Sequence, residues 1–118
     1  MFLETLKNIA DKFQNMHCIF LMGMDGMPVE KVIRDDAFNV DALTAEFTTV
    51  LKVTNASAGE VGAGTVDEIL ILSDKMILLT KSITSEYFLL LVLPPDGNMG
   101  RARFELKKAK YMLEKEFV

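Results

Sequence analysis

Val66 to Leu93, VDEILILSDKMILLTKSITSEYFLLLVL, is the stretch on which the fold turns. It reads as three consecutive strands, because short runs rich in Ile, Leu, Val and Tyr are separated by the polar clusters Ser73-Asp74-Lys75 and Thr84-Ser85-Glu86. Connections this tight join antiparallel neighbours, so the three strands form a meander. The last run, Tyr87 to Leu93, is apolar at every position and stops at Pro94-Pro95, which predicts a central strand covered on both faces. Amphipathic segments before the meander and at both ends of the chain are available to supply that cover.

The chain has 118 residues, which predicts one domain spanning 1–118. A single cysteine, Cys18, excludes an internal disulfide and, with eight methionines and no tryptophan, fits a reducing, cytoplasmic setting. The N-terminus carries Glu4 at once and lacks a basic segment followed by an apolar core, so no signal peptide is expected. The longest apolar run is too short to cross a bilayer as a helix, and no membrane insertion is expected. Lys and Arg number 13 against 17 Asp and Glu, for a net charge of −4. Residues 97–118 nonetheless hold six basic side chains against three Glu. An acidic chain with one basic helical face is a poor nucleic-acid binder, since phosphate neutralisation needs a broad positive surface.

Outward from the meander, residues 2–14 place Phe2, Leu6, Ile9 and Phe13 on one side and Glu4, Lys7, Asp11 and Lys12 on the other, predicting an amphipathic helix. Met16 to Met24 and Met27 to Arg34 flank Asp25-Gly26, a strong hairpin signal. Pro28, Glu30, Lys31 and Arg34 mark the second arm as an edge strand guarded by charge and by a missing donor. Asn39 or Asp41 is placed to cap a helix to about Ala58, with Gly59 as its stop and Leu43, Phe47, Val50, Leu51 and Thr54 as its core face. After Asp96-Gly97-Asn98 a last helix runs to about Phe117 with Ala102, Leu106, Ala109 and Leu113 inward. The order α-β-β-α-β-β-β-α predicts an α/β layered (α+β) domain of the profilin-like kind, with a five-stranded antiparallel sheet and helices on both faces.

No catalytic set emerges, and the expectation is a non-enzymatic binding protein without cofactor. His17 and Cys18 are adjacent on a strand, point to opposite faces and cannot act as base and nucleophile. One His and one Cys are too few soft ligands for zinc, so no metal site is expected. The loop Gly59-Glu60-Val61-Gly62-Ala63-Gly64-Thr65 lacks the lysine of a phosphate-binding P-loop and leads into a strand where such a loop opens a helix; it reads as a flexible connection. Met16, Met22, Met24 and Met27 read as core filling around the first hairpin.

Two features stand apart. The outer face of the second helix holds Ala42, Ala45, Thr49, Val53 and Ala56, with only Lys52 charged, where a solvated helix carries Glu and Lys. The strand that follows, Thr65 to Ser73, contains Ile69, Leu70, Ile71 and Leu72 and no lysine or proline to guard an edge. A strand of this kind at the sheet margin is a template for another chain. Together, helix face and strand form a self-complementary patch that predicts a twofold homodimer with a sheet continuous across the interface.

The element order, with Met24-Asp25-Gly26-Met27-Pro28-Val29 in the hairpin and Pro95-Asp96-Gly97-Asn98-Met99-Gly100-Arg101-Ala102-Arg103 entering the last helix, resembles the Roadblock family, the dynein light chains of that name and their bacterial gliding-motility relatives. The resemblance spans nearly the whole chain. It implies a non-enzymatic homodimer joined through the second helix and third strand, which binds a Ras-like small GTPase as a scaffold or as an activator. Activation in such relatives repositions the GTPase's own residues and inserts no arginine, and the resemblance puts Lys52 and Val53 at the GTPase contact. The alternative is a small-ligand sensory domain of similar layered fold, which needs a roomy, partly polar cavity where this sequence places large apolar side chains.

Overall fold

The structure, a computed structural model, describes residues 1–117. Helix α1 (Phe2–Ala10) precedes strands β1 (Cys18–Gly23) and β2 (Pro28–Ile33), helix α2 (Val40–Glu60), strands β3 (Glu68–Leu72), β4 (Ile77–Ser82) and β5 (Tyr87–Leu93), helix α3 (Met99–Leu113) and a closing 3₁₀ turn, Glu114–Phe117. The five strands form one antiparallel sheet in the order β2-β1-β5-β4-β3. The uninterrupted apolar run of β5 lies in the middle, as its composition predicts, and Phe88 through Leu93 are wholly buried.

Alternate residues of the inner strands feed two cores. Ile19, Leu21, Leu79, Leu89 and Leu91 pack beneath α1 and α3 with Leu6, Ile9, Leu106 and Leu113. Cys18, Phe20, Met22, Leu78, Phe88, Leu90 and Val92 pack on the other side with Leu43 and Leu51 of α2. Two helices therefore cover one face of the sheet, and one helix covers the other.

Local chemistry sets the boundaries. Helix α1 ends three residues before its apolar pattern does: Lys12 and Phe13 donate to Ile9 and Ala10 carbonyls at 3.0 and 3.2 Å, so the last turn tightens while Phe13 still reaches the core. In the β1–β2 hairpin, Asp25 Oδ1 accepts from the Met27 N–H at 3.0 Å, and Gly26 takes φ 88°, a conformation open to glycine at little cost. The register slips between Leu21 and Met22, a bulge in the ladder to β2. Asn39, not Asp41, caps α2, its Oδ1 accepting from the Ala42 N–H at 3.1 Å. Asn98 caps α3 in the same way through the Arg101 N–H. Helix α2 passes Gly59 and closes where Ala63 N–H reaches back to the Ala58 carbonyl at 2.7 Å.

The predicted core face of α2 needs correcting. Leu43, Thr44, Thr48 and Leu51 are buried and Phe47 is partly buried, whereas Val50 is exposed and Thr54 only half-buried. Val50 lies about 100° around the helix from Leu51, past the margin of the buried arc. The buried threonines are tolerated because their hydroxyls donate back along the helix, Thr48 to the Thr44 carbonyl at 2.7 Å and Thr44 to the Val40 carbonyl at 3.0 Å.

Candidate functional site

Strand β3 is an edge strand, hydrogen-bonded to β4 alone. Its side chains divide. Ile69 and Ile71 are half-buried against the α2 core, while Leu70 and Leu72 project on the α1/α3 side, 41% and 61% exposed. The four residues predicted to form one interface patch thus serve both faces of the margin, with the unpaired backbone between them.

On the α2 side, Ala42, Ala45, Thr49, Val53 and Ala56 are all exposed on the outer surface of the helix. Val53 is 59% exposed. The structure adds two members: Val50, assigned to the core from the sequence, and Glu46, the one acid in this stretch of the outer face. The i to i+4 spacing that links Glu46 to Val50 and Val50 to Thr54 was the available signal for both. Between the N-terminal half of α2 and the β3–β4 turn runs an open groove of about 720 Å³, bounded by Phe38, Ala42, Glu46, Phe47 and Met76. Phe38 and Met76 were not singled out from the sequence, because their proximity depends on how the linker before α2 and the β3–β4 turn meet in space.

The charged groups at the start of β3 are engaged in ion pairs. Lys81, opposite Glu68 in the ladder, is almost buried and donates to Asp67 Oδ2 at 2.6 Å, with Glu68 Oε2 at 3.6 Å. Glu68 also accepts from Arg103 Nε at 2.8 Å, and Lys110 Nζ stands 3.2 Å from Asp67 Oδ1. The hydrogen bond from Lys81 holds the Asp67 carboxyl below its ordinary value against desolvation, with a further hydrogen bond from Lys110 and the charges of both lysines adding to it. These contacts tie the start of β3 to α3 and leave Ile69 to Leu72 without a charge.

The remaining singled-out residues have structural surroundings. His17 Nδ1 lies 2.8 Å from Asp35 Oδ2, and its ring meets Phe38 edge-on at 5.2 Å. Desolvation works upward on Asp35, but hydrogen bonds from the Ala37 N–H and from His17 outweigh it and leave the carboxyl below its usual range. Cys18 faces the α2 core, and burial, with the charge of Asp35, pushes its thiol up to about 12, where it stays protonated and unreactive. Arg34 donates to Asp11 at 2.7 Å and Arg103 to Glu68, so two of the three arginines are engaged on the α1/α3 side. No helix among the described residues is long and apolar enough to cross a membrane.

With this geometry in view, the model of the family described as mitogen-activated protein kinase kinase 1 interacting matches residues 2–105. The chain belongs to that family. Its fold is that of Roadblock/LC7 domains: a Roadblock/LC7 domain from Streptomyces avermitilis superposes with TM-score 0.85 at 12% identity, over 98% of this chain and 96% of that one. MglC from Myxococcus xanthus is 25% identical with TM-score 0.69, over 98% of both chains. The gliding protein MglB from Thermus thermophilus is 17% identical with TM-score 0.84, over 95% of this chain and 84% of that one. Among curated proteins no sequence matches this one. The α-β-β-α-β-β-β-α order expected from the resemblance is the order observed.

Proposed function

We propose that this family member is a non-enzymatic adaptor that acts as a homodimer, closed through α2 and the β3 edge, and that it regulates or localises a Ras-like small GTPase in the cytoplasm. The observation that carries this reading is the coincidence of an unpaired strand edge with a helix face almost free of charge. Antiparallel pairing of β3 with its copy would join two sheets of five strands. It would bury Leu70 and Leu72 on one side and the Ala45, Thr49 and Val53 face of α2 on the other. Exposed apolar surface beside an open edge favours association over solvation. Another MglB structure has a tetrameric arrangement, which supports assembly through this fold.

The GTPase contact falls at Lys52 and Val53, both exposed on α2. If hydrolysis is stimulated, the GTPase supplies the catalytic groups. Arg34 and Arg103 are paired with acids on the α1/α3 side, and Arg101 stands in the first turn of α3, away from the α2 layer. An inserted arginine contributes about 10³ to 10⁵ in rate. Binding of a Ras-like GTPase whose gene neighbours this one tests the reading by titration calorimetry. Saturable binding that weakens in Val53→Lys and in Lys52→Glu supports it; no binding to such a GTPase in either nucleotide state contradicts it.

A further inference from the structure

At the C-terminal end of α2, the glycine-rich loop, the β4–β5 turn and the last turns of the helix enclose a depression of about 730 Å³. Its wall includes Lys52, Asn55, Gly64, Thr65, Thr84 and Ser85, and no carboxylate lines it. In a chain where acids outnumber bases, that composition is unusual, and Lys52 makes no ion pair among the described residues.

The backbone adds donors. Gly62 and Gly64 have φ of 73° and 83°, and among the described residues no non-glycine has positive φ, so the sign alternates from Val61 to Thr65. Glycines at positive φ make tight backbone curves whose N–H groups can line a concavity of the kind that holds anions. The Gly62 and Ala63 N–H groups are spent closing the helix end on Gly59 and Ala58 carbonyls. Those of Gly64 and Thr65 have no acceptor among the described residues. Asn55 uses its Oδ1 to accept from the Val66 N–H at 2.9 Å, so its amide N–H₂ is left to donate. Thr84 Oγ1 accepts from the Glu86 N–H at 3.1 Å and keeps its own proton for donation.

We propose that this depression is a binding site for a phosphoryl group, with Lys52 as its cation and the Gly64 and Thr65 N–H groups, Asn55 and Thr84 as its hydrogen-bond donors. It is not a P-loop. The lysine comes from the preceding helix, more than two turns before the last glycine, and the loop opens a strand. Every group of the site belongs to one chain, so phosphate binding is measured on this protein alone, although Lys52 is shared with the proposed GTPase contact. A free phosphate ester and a phosphorylated side chain share this chemistry.

The test is an amide-resolved NMR titration of the wild-type protein with inorganic phosphate, sulfate, and a short phosphoserine peptide beside its unphosphorylated twin. Saturable shifts centred on Gly64, Thr65 and Asn55 are expected. Lys52→Gln should weaken phosphate binding at least about tenfold, the worth of one charge-assisted hydrogen bond, while Lys52→Arg retains it and Lys108→Gln leaves it unchanged. Tighter binding of the phosphopeptide than of inorganic phosphate assigns the natural ligand to a phosphorylated chain; equal binding assigns it to a free phosphate. Absence of saturable shifts in the loop overturns the proposal. So do equal affinities in wild type and Lys52→Gln with both spectra folded, or loop shifts no larger than those at the exposed lysines of α3.

Discussion

At one margin of the sheet, β2 begins on Pro28, carries Glu30 and Lys31, and meets β1 through a bulge. At the other, β3 runs EILIL with no proline and no lysine, and its one charge, Glu68, is bound to Lys81 and Arg103. Both strands expose apolar side chains; Val29 and Ile33 of β2 are each 41% exposed, as is Leu70 of β3. What differs is therefore the accessibility of the backbone ladder and not the hydrophobicity of the margin. Proline, mixed charge and a bulge close one edge to another strand, and the other is left flat and open beside a helix face of alanine, threonine and valine.

The sharpest way to break this contrast is to put a charge on the α2 face. Ala45→Glu or Thr49→Glu would bury a carboxylate in the proposed interface at a cost of a few kcal/mol, lowering dimer affinity by about 100-fold or more. Val29→Glu, the matching change at the β2 margin, should leave association unchanged. Sedimentation of the three variants measures the difference, and equal behaviour would erase the distinction between margins.

A smaller effect is expected from moving the guard across. Leu72→Lys gives β3 the kind of edge charge that β2 carries, and should weaken self-association by about tenfold while leaving the monomer's melting temperature within a few degrees. Next in size are the arginines. Each of Arg34→Ala, Arg101→Ala and Arg103→Ala should leave any stimulation of a partner GTPase within about tenfold of wild type in single-turnover hydrolysis. A thousandfold loss in one of them would move the active face of the protein to the α1/α3 side.

The smallest expected effect concerns the acid end of β3. Because the folded state lowers the Asp67 pKa, its contribution to stability is present above the ordinary carboxylate value of about 3.9 and is lost as pH falls from there through the lowered value. The melting-temperature gap between wild type and Asp67→Asn should be constant near neutral pH and shrink only in strong acid. A gap that shrinks between pH 8 and 6 would mean that another group titrates at this margin.

Much of the fold was legible because its signals are local. An all-apolar β5, the Asp25-Gly26 hairpin and the alternation of strands with amphipathic runs each follow from a few adjacent residues. Helix ends were read less well: Gly59 was the expected stop of α2, yet the chain turns only where Gly62 adopts positive φ and Ala63 closes on Ala58. The charged members of the packing were invisible. Lys81 and Glu105 are nearly buried, and each has an ionic partner distant in sequence, Asp67 for one and Lys12 for the other, although Glu105 also meets the nearby Lys108. The same holds for the donor-lined depression, since nothing in the spacing of Lys52 and Gly64 announces that the helix end folds them against Thr84.

Sedimentation equilibrium of the wild-type chain at micromolar concentration, run beside Thr49→Glu, tests the open-edge account most directly. The account predicts a mass of two 13.2 kDa chains for the wild type and a shift toward one chain in the variant. A wild type that sediments as a single chain throughout, or a variant whose dimer is as tight as the wild type's, would contradict it.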